Sequence, residues 1–254
     1  MEEGRRESLP RIPGLFEYCD RWCERCHLTS RCLVVALVAE RRARRRARSG
    51  ELQSPGALWE EIRASTRDAL AALRRRAEEE PGGSETASFA DDRDRDLHWH
   101  PLVQAARQVF RRSRPFLDRL QGILAARRAD LEALPGGPPE EEEIALMRLE
   151  NCFEVVQWYH TLLVAKTHRA LASQAEAEGA PGQEAYLLED ARGTARLVYV
   201  CLGRFLGAVH VLHRRVPELQ ENARVLLALA YRLREGIGAA VPGCREYRRP
   251  GLDD

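Results

Sequence analysis

Four cysteines crowd into the segment Tyr18-Cys19-Asp20-Arg21-Trp22-Cys23-Glu24-Arg25-Cys26-His27-Leu28-Thr29-Ser30-Arg31-Cys32, with the spacing C-x3-C-x2-C-x5-C. Thiolates suit zinc and iron–sulfur centres, and the four sulfurs of Cys19, Cys23, Cys26 and Cys32 would complete a tetrahedral Zn site or a 4Fe-4S cluster. His27 could replace one sulfur. Three readings stay open. Zinc usually takes two pairs of ligands separated by a dozen or so residues, so this short run must loop sharply to surround one ion. A cluster accepts ligands from a compact run more readily. The third reading needs no metal: Cys19, Cys23 and Cys26, at i, i+4 and i+7, would be one apolar stripe of a helix. The first two spacings also equal the C-x3-C-x2-C of radical-SAM enzymes, but those need an α/β barrel and this sequence offers no strands to build one. Cys152, Cys201 and Cys244 lie far apart and read as buried small apolar residues or, for Cys244, a loop thiol.

A second constellation sits further along. Glu154, His160 and Asp190, with Arg192, could form a polar site inside a helical bundle, which would make an enzyme of the protein. The same residues could equally be a buried ion-pair network that fixes helix register. A di-iron bundle needs Glu-x-x-His twice. Glu stands three residues before a histidine only at Glu24 and His27, so that chemistry fails on its own spacing. His98 with His100, and His210 with His213, could still hold a metal with Asp190 or Glu154, although structural roles suit such histidines better. No phosphate loop, dinucleotide glycine pattern, nucleophile elbow or His-Glu-x-x-His motif is present.

The elements that must position these residues are helical. A helix is expected from about 30 to 48 and another over about 57–80, with a turn-rich, charged stretch from Pro81 to Asp96 as linker. Long helices follow at about 98–134, 139–178, 184–215 and 217–240, separated by Leu134-Pro135-Gly136-Gly137-Pro138-Pro139, by Gly179-Ala180-Pro181-Gly182 and by Pro217. Apolar residues recur at helical spacing, as in Met147, Cys152, Val155, Val156, Tyr159, Leu162 and Leu163. Pro115 should kink or split the first of the long helices. Gly203 and Gly207, four apart, would let another backbone approach, and Gly193 with Ala195 suggests a further close helix contact. The fold expected is all-α: a Cys-rich N-terminal segment and an up-down antiparallel helical bundle. Three regions result: 1–48, a Cys/Arg-rich segment with its helix; 49–97, a helix and charged linker; and 98–254, the bundle.

The chain has 254 residues, 44% of them hydrophobic, and 40 basic side chains against 39 acidic. These values exclude wholesale disorder and a disulfide-dense scaffold. The balance is uneven along the chain. Residues 1–48 hold 12 Arg and 7 acids, net about +5, which leaves about −4 for the rest. Lys166 is the only lysine, a bias that points to a high-GC coding preference. Six arginines between Arg41 and Arg48 could neutralise nucleic-acid phosphates, though with no aromatic among them a solvated helix face is the plainer reading. With no signal-peptide pattern and no apolar run near 20 residues, the expected protein is soluble and cytoplasmic, without a transmembrane segment.

The run from Cys19 to Cys26, followed by Thr29-Ser30-Arg31-Cys32, resembles the opening of a group of uncharacterised bacterial all-helical proteins. The ending Pro242-Gly243-Cys244-Arg245-Glu246-Tyr247-Arg248-Arg249-Pro250-Gly251-Leu252-Asp253 is similar to the tail of the same group. That group has no known activity, so the resemblance implies only that the cysteines belong together. The leading expectation is a helical metal-binding protein with a structural, redox-sensing or interaction role, its bundle presenting a surface to a protein or small ligand. A nucleic-acid-associated protein using residues 41–48, or an enzyme with a polar site in the bundle, is the alternative.

Overall fold

The computed structural model describes residues 10–49 and 97–253. The expected helix at 57–80 and the linker at 81–96 lie outside the described residues. Among those described, every regular element is helical: α1 (Leu33–Ser49), α2 (Pro101–Glu132), α3 (Glu140–Ala177), α4 (Glu184–Arg215) and α5 (Gln220–Ala240), with single 3-10 turns at Cys23–Arg25, Thr29–Arg31 and Pro217–Leu219. The chain divides into two compact units. One comprises Met1–Arg11 and Cys26–Asp96; the other comprises Ile12–Arg25 and Leu97–Asp254. The division is into two units, where the sequence suggests three regions. Residues 12–25 belong with the bundle.

In the first unit, the turn Thr29–Arg31 leads into α1, and Arg31 Nε donates to the carbonyl of Pro10 at 3.0 Å. Leu28 and Cys32 are buried, while Leu37 and Val38 are exposed.

In the second unit, α2 packs on α3, α3 on α4, α4 on α5, and α5 back on α2. This closes a ring of four antiparallel helices, as an up-down bundle requires. His100 caps α2, its Nδ1 accepting from the Leu102 amide at 3.2 Å, with Pro101 at the first helical position, where its missing N–H costs nothing. Glu140, Glu141, Glu142 and Glu143 place negative charge in the first turn of α3, where the helix dipole favours it. The core runs through Val103, Phe116 and Leu120 of α2, Val156, Tyr159 and Leu163 of α3, Leu197, Leu202 and Phe205 of α4, and Leu226, Leu233 and Ile237 of α5.

Two expectations are corrected. The helix continues through Pro115, which lies on the exposed face, so the carbonyl of Arg111 that loses its partner can turn to water. Gly203 and Gly207 are exposed with open space where a Cβ would stand, so no backbone among the described residues approaches them. The close approach is at Gly193 instead. A Cβ there would come within 2.5 Å of the Tyr18 ring.

Helix α4 has the length and apolarity of a membrane-crossing helix. In the bundle its apolar side chains, from Leu197 to Leu212, are packed against its neighbours.

Candidate functional site

Residues 12–25 form a strap along α3 and α4, held by aromatic and charged anchors. Trp22 stacks on Trp158 (centroids 5.2 Å apart, planes at 16°) and meets Tyr159 edge-on at 5.8 Å. Between these rings lies Asp20. Its carboxylate accepts from the Tyr159 hydroxyl at 2.6 Å and from Arg204 at 2.5 Å, and its backbone carbonyl accepts from Trp158 Nε1 at 3.0 Å. Burial and the bond to Asp20 push the Tyr159 phenol upward, so it stays a donor. Further along, Arg25 lies over the Trp22 ring at 4.2 Å and reaches Asn151 and Glu154 on α3.

The C-terminal tail closes over the other end of the strap. Tyr18 meets Tyr247 edge-on at 5.6 Å, and the buried Arg249 donates to the Tyr18 carbonyl at 3.4 Å. Arg249 is itself gripped by Asp253 (2.7 and 3.0 Å), which also accepts from Arg196 at 3.2 Å. Burial alone would raise the Asp253 carboxyl, but the bonds from Arg249 and Arg196 outweigh it and hold the group well below the usual carboxylate range. Tyr18 of the strap and the C-terminal tail thus meet beside α4.

Beneath Tyr18 and Cys19 lies a polar cluster. The buried Asp190 accepts from Ser173 at 2.6 Å and from Arg169, whose Nε stands 3.2 Å away. Beside it is Lys166, half-buried. Burial first, then the positive charges of Arg169 and Arg21, press the ammonium below its ordinary range, while Cys19 and Asp190 act in the opposite direction. Among the described residues neither Lys166 nor Arg21 has an ion-pair or hydrogen-bonding partner. Arg21 also has φ 58°, the one non-glycine residue with positive φ among those described. An L-residue there costs about 1–2 kcal/mol.

The three residues singled out for a second site have separate surroundings. Glu154 is exposed on α3 and paired with Arg25. His160 lies against α2, its ring parallel to Phe110 (5.1 Å, 4°) and its Nδ1 bonded to the Gln157 carbonyl at 2.7 Å; burial lowers its pKa. Asp190 faces Arg169 and Ser173. Each of the three thus has its own set of partners. The histidine pairs are likewise engaged apart: His98 with Arg107, His100 as a helix cap, and His210 with the Tyr231 hydroxyl at 3.0 Å.

The cysteine segment is not one helical stripe, because it is built of single turns. Cys23 is exposed, Cys19 and Cys26 are half-buried, and Cys32 is buried. Cys19 and Cys23 belong to the bundle unit, Cys26 and Cys32 to the other. Among the described residues no group of three or more His, Cys, Asp or Glu side chains is gathered as a metal ion requires. Cys152, Cys201 and Cys244 are buried, and burial pushes the Cys201 thiol up to about 12. The helix bearing the arginines at 41–48 is present, with the side chains of most of that run outside the described residues.

Lys166 and Arg21 carried no sequence signal as a pair. The one clue was that a single lysine survives in a chain that otherwise uses arginine. No family model, curated protein or solved structure matches the chain.

Proposed function

We propose that this is a non-catalytic binding protein whose helical bundle takes the carboxylate or phosphate group of a small ligand between Lys166 and Arg21, under the N-terminal strap. One observation carries the reading: two cations stand together, one half-buried, and Asp190, the carboxylate near Lys166, is already bonded to Arg169 and Ser173. A cation withdrawn from water without a partner is costly, and an anionic group supplied from outside would offset that cost. Arg169, fixed by Asp190, which Ser173 holds in turn, adds a third positive charge and a rigid wall. The guanidinium of Arg21 offers a planar fork for two oxygens, and the Lys166 ammonium a point charge. The left-handed backbone at Arg21 is the kind of strain that persists where a side chain must be aimed.

The test is calorimetric titration of the full chain with inorganic phosphate, pyrophosphate and citrate. One of them should saturate at a single site, and Lys166→Met should weaken it at least tenfold. Metal analysis of the same preparation separates this from the cysteine reading. Stoichiometric zinc or iron, lost on Cys23→Ser, with no anion binding, would favour the metal centre.

A further inference from the structure

One half of the α2–α3 face has no acid. Residues 98–117 hold Arg107, Arg111, Arg112 and Arg114, and neither this stretch nor residues 155–175 contains Asp or Glu, in a chain with 39 acids. Arg107, Arg111 and Arg114 stand at i, i+4 and i+7, so they share one face of α2. None has an ion-pair partner among the described residues. Arg107 lies against the ring nitrogens of His98 at 2.7 and 2.8 Å, and Arg111 Nε donates to the Arg107 carbonyl at 3.4 Å. Their charges are therefore available to an outside partner.

Aromatic groups accompany the charges. A cavity of about 400 Å³ opens between the helices, lined by Arg107, Phe110, Arg111, Thr161 and Val164. Phe110 is backed by the parallel ring of His160, which holds it flat. At the start of α2, Trp99 is 70% exposed and packs edge-on against His98 at 5.1 Å, continuous with Arg107. The cavity at the opposite end of the same helix pair mixes charge, with Asp130 and Glu142 beside Arg127.

We propose that this face binds single-stranded nucleic acid: the arginines meet successive phosphates, one base enters the cavity over Phe110, and Trp99 offers a second stacking surface. Arginines along a backbone track combined with aromatic platforms are what such strands require. A duplex keeps its bases paired and offers no ring to the cavity. An acidic peptide would use the charges but leave the aromatic groups idle. The site is separate from the cluster at Lys166, which lies on the α4 side of α3.

Fluorescence anisotropy of labelled 12-nucleotide dT and rU strands tests this on the full chain, at about 50 and 200 mM salt. The expected result is single-strand binding that weakens steeply with salt. Arg107→Gln/Arg111→Gln should weaken it at least tenfold and lower the salt slope by about 1.5. Trp99→Ala, an exposed change that leaves the core intact, should weaken binding about fivefold or more at an unchanged slope. Equal affinity for duplex DNA or for polyglutamate, indifference to Trp99→Ala, loss of binding only on replacing the arginines at 41–48, or no binding at low salt would each overturn the proposal.

Discussion

The Tyr159 hydroxyl donates to the Asp20 carboxylate at 2.6 Å across 139 residues of sequence. This contact ties the strap to the bundle, and Arg204 and Trp158 reach the same residue. Asp20→Ala leaves the Tyr159 hydroxyl without its acceptor and Arg204 without its carboxylate. Urea unfolding should show a loss of about 1–3 kcal/mol. The strap should also become the earliest site of tryptic cleavage, at Arg21 and Arg25. Unchanged stability together with an uncut strap would remove this anchor from the account.

Tyr18 covers Gly193 so closely that the two positions must be coupled. Gly193→Ala puts a methyl group 2.5 Å from the ring, and displacing the ring should cost about 1–3 kcal/mol. Tyr18→Ala removes the obstacle. In a double-mutant cycle the alanine at 193 should cost little once Tyr18 is gone. Additive effects would show that the ring does not rest there.

The tail clasp should be acid-sensitive in a defined direction. Asp253 is held below its unfolded pKa, so its contribution is complete above about pH 4, the ordinary carboxylate value, and is lost as pH falls from there toward the lower folded value. Asp253→Asn should cost about 1–3 kcal/mol at pH 7, and the gap from the parent should narrow below about pH 4. A gap that stays constant from pH 7 to pH 3 would contradict the assignment.

His160 should act in the same direction at a higher pH. Burial lowers its folded pKa, so the neutral ring stabilises the protein above the unfolded value of about 6.5, and that stability is lost as pH falls below it. His160→Gln should flatten the stability profile between about pH 6.5 and 5. An unaltered slope in that window would show that the ring is not selectively neutral.

The helices were legible because their apolar residues repeat at 3.6-residue spacing and their ends carry proline and glycine. Pro115 does not split α2, because an internal proline breaks a helix less when the freed carbonyl faces water. Gly203 and Gly207 misled because spacing alone does not say which face of α4 is covered. The site was harder to read. Asp20, Trp22 and Arg25 find partners about 126–184 residues away, and no local pattern encodes such pairings. Glu154 and Asp190 have the chemistry of a site, yet each serves an arginine: Arg25 of the strap for one, Arg169 of α3 for the other. The cysteine spacing was visible at once, yet the division of the segment between two units was not.

The central claim is that Lys166 and Arg21 await an anion. Calorimetric titration of pyrophosphate into the parent chain, Lys166→Met and Arg21→Met tests it most directly. The account predicts one saturable site in the parent, weakened at least tenfold by either change, with Arg107→Gln/Arg111→Gln leaving it intact. Affinity that is absent in the parent, or indifferent to both Lys166 and Arg21, would contradict it.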